Sequence, residues 1–213
     1  MAPSTTIKYA VICASNQNRS MEAHHILAKK GLDIVSFGTG SSVKLPGPSA
    51  DRPNVYPFGT PYDQMYRELD KRDHNLYTQN GVLTMLDRNR NIKEAPQRFQ
   101  DCINSSIDIY KNLDVIITCE ERCFDAVMEE LMNRSDPAQK KSRPTHVVNF
   151  EIKDTPEGAA MGARLISQFT TMLEEQPDFW LDNFDDILEE VSKPLEFEIV
   201  LLIIFSFKNQ RMK

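Results

Sequence analysis

The stretch Val11-Ile12-Cys13-Ala14-Ser15-Asn16-Gln17-Asn18-Arg19-Ser20 places a cysteine and an arginine six positions apart, between an apolar run and a helix. Before it, Ile7-Lys8-Tyr9-Ala10-Val11-Ile12 is short, apolar and rich in branched and aromatic residues, which predicts a buried strand. After it, Ser20 to Lys30 carry Met21, His24, Ile26 and Leu27 at helical spacing, with Gly31 where a C′ residue belongs. Strand, tight polar loop and helix in that order turn successive backbone N–H groups and the positive end of a helix dipole into one concavity. Such a concavity binds anions.

The loop adds a nucleophile and a clamp. A thiol at a strand end facing a helix N-terminus is favoured as thiolate, which casts Cys13 as nucleophile. The planar fork of Arg19 suits two oxygens of a phosphoryl group in transfer, and the N–H groups of Ala14, Ser15, Asn16, Gln17 and Asn18 suit the rest. Ser20 can donate its hydroxyl to the Cys13 sulfur and release it as a leaving group, while Asn16 can brace the loop through backbone groups. A bare Cys-x5-Arg-Ser arises by chance, so the weight rests on the strand before it and the helix after it. An arginine in a first helical turn also opposes the dipole unless an anion offsets it.

At 213 residues the chain is long enough for one complete core, read as a single domain over 1–213 with an insertion. A composition 40% hydrophobic and 26% charged predicts a soluble globular protein. A net charge of −6 argues against nucleic-acid binding through a broad basic face, and protein partners are expected instead. No run of 18 apolar residues is present to span a membrane, and no signal-peptide pattern opens the chain. Cys13, Cys102, Cys119 and Cys123 have neither zinc spacing nor the density of a disulfide scaffold, as in a reducing compartment. Cys119 and Cys123 sit on apolar faces and read as core cysteines.

A second strand, Ile34–Phe37, ends at Gly38-Thr39-Gly40, a turn signal. From Lys44 to Arg98 the pattern changes. Prolines at 46, 48, 53, 57 and 61 precede a helix over Pro61–His74, the stretch Leu76–Gly81 and a short helix over Val82–Asn89. Nine lysines and arginines face seven acids there, whereas Glu151–Glu198 holds thirteen acids against three bases. A less acidic insertion beside an anion site suits a lid over a phosphorylated ligand. Further on come a strand at Val115–Cys119, a helix to Asn133, a polar linker over Arg134–Arg143 and a strand at Thr145–Phe150. This alternation predicts an α/β domain with a mostly parallel sheet and its site beyond the carboxyl ends of the strands. The loop after the fourth strand then brings Asp154 near Cys13. Two roles stand open for Asp154-Thr155-Pro156, a helix N-cap or a catalytic acid. Thiolate attack on a serine phosphate expels an alkoxide that needs a proton, so a general acid is required; no metal or cofactor is. His24, His25 and His146 lack ligand partners at useful spacing, and His146 reads as structural.

Cys13 to His24 resembles the nucleophile loop of the eukaryotic phosphatases that act on the C-terminal domain (CTD) of RNA polymerase II, the Ssu-seventy-two family. The resemblance continues through Ser36–Gly40, Val43–Pro48, Pro53–Tyr56, Tyr62–Met65, Tyr77–Gly81, Met85–Asn89, Thr118–Arg122 and His146–Asn149. It implies a low-molecular-weight-phosphatase-like three-layer fold with a cap over 44–98, and a reaction through a cysteinyl-phosphate. The implied substrate is phosphoserine followed by proline in the heptad Tyr-Ser-Pro-Thr-Ser-Pro-Ser, with that bond cis, a minority form in a flexible peptide. The positions matching the family's proline grip are Lys44, Leu45, Pro46, Tyr77 and Met85, and Asp154 matches its general acid. The implied setting is the nucleus, in the cleavage and polyadenylation complex on the scaffold symplekin. The chain departs from the pattern at Thr155-Pro156-Glu157-Gly158, where the family has Asn-His-Glu-Glu. It also departs in extra material between Cys102 and Leu113, and at Phe197–Phe207, read as a buried strand added to the sheet. Two alternatives accompany this reading. One is a phosphotyrosine phosphatase or arsenate reductase of the same fold, the latter opposed by Asn18 standing where a second cysteine is needed. The other is a scaffold subunit with weak catalysis.

Overall fold

The computed structural model describes residues 7–102, 113–133, 145–176 and 180–192. The expected linker at 134–143, the extra segment near 103–112 and the expected strand at 197–207 lie outside these residues. The sheet is β2 (Asp33–Gly38), β1 (Lys8–Cys13), β5 (Val115–Thr118) and β6 (His146–Asn149), in that spatial order and parallel throughout. The chain leaves β1 for β2 on one side and reaches β5 on the other. The loop after β1 therefore opens at the point where strand order reverses, the place where α/β sheets bind ligands.

Side-chain alternation along β1 divides the core in two. Ile7, Tyr9, Val11 and Cys13 pack with Ala23 and Leu27 of α1 (Arg19–Lys29), with Ala163, Ile166, Phe169 and Leu173 of α5 (Pro156–Glu174), and with α6 (Phe184–Ser192). Ala10 and Ile12 face the other way, onto Phe124, Val127 and Met128 of α4 (Glu121–Asn133). Helices on both faces of a parallel sheet make three layers. Helix α1 ends as its sequence predicts: Gly31 has φ +80, its N–H bonds the Ala28 carbonyl, and Leu32 N–H reaches back to Leu27.

Between β2 and β5 lies a third cluster. The antiparallel pair β3 (Val43–Leu45) and β4 (Asn54–Tyr56), with α2 (Tyr62–Gln79) and α3 (Val82–Arg90), buries Leu45, Tyr56, Tyr62, Met65, Leu69, Tyr77, Leu83 and Leu86 around Met21 of α1. The sequence does not predict the β3–β4 pair, because three-residue strands among prolines give no periodicity. Element α2 joins two helices, the first ending next to the expected stop at His74. Asp73 is non-helical (φ −162, ψ 88), and its carboxylate accepts from Leu76 N–H at 3.0 Å, so one helix ends there and a second is capped in its place.

Candidate active site

The loop between β1 and α1 is held from outside by its carbonyls. Thr39 and Gly40 N–H donate to the Cys13 and Ala14 oxygens at 3.0 and 2.9 Å. Tyr62 O–H donates to Asn16 O at 2.6 Å. Arg88 Nη2 and Asn89 Nδ2 donate to Gln17 O at 2.8 and 2.9 Å, and Arg88 also reaches Asn18 O. Asn16 occupies the left-handed region at φ +52, which asparagine tolerates better than most residues, and its Oδ1 accepts from Gln97 N–H. Among the described residues, no backbone N–H from Ala14 to Asn18 donates to a protein acceptor. These groups remain for an anion. Two buried side-chain donors of the same loop, Gln17 Nε2 and Arg19 Nε, likewise have no acceptor among the described residues.

Cys13 Sγ lies 3.0 Å from Ser20 Oγ, and Asn16 Nδ2 donates to that same hydroxyl oxygen at 3.1 Å. A thiolate at Cys13 can only accept, so in that form the Ser20 hydroxyl, its oxygen already accepting from Asn16, donates its proton to the sulfur. Arg19 is 4% exposed. Its Nη1 is anchored on the carbonyls of Cys119 and Ile152, while Nη2 meets Glu120 at 3.2 Å and Asp154 at 3.4 Å. Burial works against its charge, but Cys13, Asp154, Cys119 and Glu120 outweigh burial and raise its pKa. Burial likewise opposes the charge of Glu120, but the hydrogen bond and charge of Arg19, with hydrogen bonds from Arg122 and Cys123, together outweigh it, so its carboxyl falls below the usual range. The edge of the guanidinium formed by Nε and Nη2 is the part that can turn to an incoming oxyanion.

Asp154 stands at the mouth, its side chain 58% exposed, and Asn18 Nδ2 donates to its Oδ1 at 3.0 Å. The N-cap role expected in this segment falls on Thr155. Thr155 caps α5, accepting from Gly158 N–H at 3.0 Å with Pro156 at the first helical position, and Asp154 is free to face the cysteine loop.

Cys13, Ser15, Gln17, Asn18 and Asp154 border a cavity of about 430 Å³ whose far wall includes Lys44, Pro46, Met85 and Arg88. A shallower hollow of about 320 Å³, over Lys44–Gly47 and Pro53, adjoins it through Lys44 and Pro46. Lys44 N–H donates to Ser15 Oγ, tying β3 to the loop. Of the expected proline grip, Lys44, Pro46 and Met85 line the cavity. Tyr77 does not: it is fully buried, exchanging hydrogen bonds with Asn54, whose amide also donates to Pro46 O at 2.9 Å. Leu45 is 1% exposed and belongs to the β3–α3 core. Tyr77 thus shapes the wall from behind, while Leu45 borders only the adjoining hollow. Cys119 and Cys123 are buried, and burial raises the pKa of both thiols.

Sequence reading missed Tyr62, Arg88, Asn89 and Glu120, which hold the loop and its arginine. Their one trace in sequence is that each lies in a stretch that resembles the family, Tyr62–Met65, Met85–Asn89 and Thr118–Arg122. It also undervalued Gly38 and Gly40. A Cβ at either would lie 2.8 or 2.9 Å from the Ala14 carbonyl oxygen, so these glycines admit the loop itself.

Comparison with known proteins agrees with this geometry. The chain is 50% identical over 188 residues to SSU72 of Mus musculus, a phosphatase of the RNA polymerase II C-terminal domain, covering 88% of this chain and 91% of the relative. It is 49% identical over 190 residues to the phosphatase of that name from Schizosaccharomyces pombe, covering 89% and 91%. Among solved structures, the serine phosphatase of RNA polymerase II CTD from Drosophila melanogaster superposes with TM-score 0.82 at 41% identity, covering 94% of this chain and all of that one. A Drosophila melanogaster Ssu72 with symplekin, bound to a cis peptidomimetic CTD phosphoserine peptide, gives 0.81 at 40%, covering 94% and 98%. The family described as Ssu72-like protein matches residues 7–206, and a match of that extent, on a chain whose cysteine loop is built and braced as above, makes this protein a member of the Ssu72-like family.

Proposed function

We propose that this protein is a cysteine-dependent phosphatase of phosphoserine-proline sites in the RNA polymerase II CTD. The observation that carries the proposal is the meeting, around one cavity, of a hydroxyl-supported thiol, a loop of unengaged N–H groups and a carboxylate from the opposite loop. In the first step the Cys13 thiolate attacks phosphorus; the S–P bond forms, the serine O–P bond breaks, and Asp154 gives its proton to the leaving alkoxide. In the second, water attacks phosphorus, Asp154 takes a proton, and the S–P bond breaks to return the thiolate. The N–H groups of Ala14–Asn18 and the Nε–Nη2 edge of Arg19 hold the phosphoryl oxygens throughout, and Ser20 stabilises the departing sulfur. Residues 44–98 serve as the cap, with Lys44, Pro46 and Met85 against the substrate proline and Leu45 and Tyr77 supporting them. A structural relative in complex with symplekin and a cis peptide supports a cis-proline substrate and a symplekin-like scaffold partner, and with them a nuclear place in mRNA 3′-end processing.

The test is phosphate release from a synthetic CTD peptide phosphorylated on the serine before the second proline, in EDTA, with and without a prolyl isomerase. Expected is EDTA-resistant release that is stimulated by the isomerase, abolished in Cys13→Ser and strongly reduced in Asp154→Asn. Release undiminished in Cys13→Ser overturns the mechanism. No release from folded wild-type protein overturns the proposed activity.

A further inference from the structure

Asn18 stands at the N-cap position of α1, where an asparagine ordinarily accepts a hydrogen bond from the helix's first turn. Its side chain makes no such bond. Instead the amide reaches across to the acid loop, donating to Asp154 Oδ1 at 3.0 Å and to the Thr155 carbonyl at 3.2 Å. Both partners are acceptors, which fixes the NH2 end of the amide toward them. We propose that Asn18 is the positioning residue for Asp154, holding the catalytic carboxylate over the scissile oxygen; this rests on the reading of Asp154 as general acid.

The geometry around Asp154 explains why a holder is required. The carboxylate is mostly in solvent, and besides Asn18 its hydrogen-bonding partner among the described residues is Arg19 Nη2, at a long 3.4 Å. That contact is the one lost when Arg19 turns its outer edge to a phosphoryl group. Asn18 then remains to fix the carboxylate. The Asp154–Thr155 peptide is pinned on its other side by α5: Thr155 caps the helix, and Gly158 packs so closely that a Cβ there would lie 2.3 Å from Lys153 O. The acid is thus held between a capped helix and a side chain of the phosphate loop. One residue joins the position of the acid to the position of the phosphate, and a capping bond is given up for it. Positioning of this kind acts through geometry, since a general acid must lie within hydrogen-bond reach of the atom it protonates.

The test compares two substrates by kcat/KM, which covers the steps through leaving-group departure. One is the phosphoserine peptide, whose alkoxide needs the acid. The other is p-nitrophenyl phosphate, whose phenolate leaves without a proton. In Asn18→Ala the ratio of peptide to aryl kcat/KM is expected to fall about 10- to 100-fold, within the range of general-acid catalysis. Asp154→Asn is expected to lower the same ratio at least as far. The double variant should fall little below Asp154→Asn alone, because the holder has then nothing to hold. A ratio unchanged in Asn18→Ala, with both substrates slowed alike, makes Asn18 part of the phosphate cradle and overturns the proposal, as does full additivity in the double variant. A wild-type ratio in Asp154→Asn removes the acid assignment itself, and is seen without touching Asn18. Asn18→Ser, whose shorter hydroxyl cannot reach both acceptors, gives the same reading if the alanine variant does not fold.

Discussion

The hydroxyl of Ser20 is oriented by its neighbours. Asn16 donates to its oxygen, and once Cys13 is a thiolate the Ser20 proton points to the sulfur at 3.0 Å. A hydrogen bond to a charged sulfur contributes about 1.5–3 kcal/mol, so Ser20→Ala should slow turnover about 10- to 100-fold. Most of that loss belongs to the second step, where the sulfur leaves. Rapid mixing with p-nitrophenyl phosphate should show a burst of phenolate followed by a slow steady state; an unchanged steady-state rate refutes this role. A second residue on α1 acts on stability. His24 Nδ1 lies 2.9 Å from Ser36 Oγ, and burial, with Lys93 and His25 nearby, pushes its pKa down to about 4. It is neutral in the fold and protonates readily in the unfolded chain, whose histidine pKa is about 6.5. Its contribution is therefore complete above pH 6.5 and is lost as pH falls toward 4, by about 3 kcal/mol at the most. Denaturant titrations of wild type and His24→Gln across that interval should diverge, with the variant losing less; parallel curves refute it. Lys93, lowered by burial to about 7, is almost fully charged below pH 6, so its opposite slope enters only at the top of this interval.

At the scale of elements, what was legible in sequence is what local pattern determines. β1, the cysteine loop and α1 follow one another without a break, so period, glycine stop and anion cradle were readable from Ile7 to Gly31. Asp154 came within reach because a parallel sheet gathers its loops at one end. Illegible were the parts that depend on distant backbone. Nothing near Tyr62 or Arg88 reveals that their partners are the carbonyls of residues 16–18. Tyr77, a substrate contact only by the family resemblance, is fully buried, and a tyrosine beside a glycine turn carries no mark of burial in sequence. Gly38-Thr39-Gly40 reads as a turn, while its function is steric. A methyl at position 40 would meet Ala14 O at 2.9 Å and Ser42 O at 3.4 Å, and both are backbone atoms. Gly40→Ala should therefore shift the loop, at a cost of about 1–3 kcal/mol in stability. Its kinetic signature differs from that of Asn18→Ala: peptide and aryl kcat/KM should fall together, because the displaced part is the phosphate cradle. A selective loss on the peptide contradicts this account.

Over the whole molecule, the β3–α3 unit has an apolar core apart from the two sheet cores, joined to α1 by Met21. Its polar contacts with the catalytic loop are of another kind. Tyr62, Arg88 and Asn89 bind carbonyls of Asn16, Gln17 and Asn18, Arg88 also pairs with Glu22 of α1, and Lys44 N–H bonds Ser15. Burial raises the Tyr62 pKa, with Cys13 adding to it, so this donor stays protonated. Carbonyls gripped from outside and N–H groups facing inward belong to the same peptide units, and an oxyanion that orders the inner side also orders the outer one. Orthovanadate, an oxyanion for the same cradle, stabilises the fold by about 2.7 kcal/mol at a hundred times its dissociation constant. Hydrogen exchange should distribute that gain: amides of α2 and α3, far from the sulfur in sequence, should slow along with those of α1. In Tyr62→Phe combined with Arg88→Met the gain should be confined to the loop and α1, with α2 and α3 exchanging as in the ligand-free protein. Exchange in α2 and α3 indifferent to vanadate in the wild type would show that the unit and the loop move independently. With residues 44–98 in the cap role proposed for them, coupling of this kind makes grip on the substrate proline and order in the phosphate loop rise together. A phosphoserine lacking the proline then meets a cradle less completely formed, and selectivity appears in the rate of phosphoryl transfer as well as in binding.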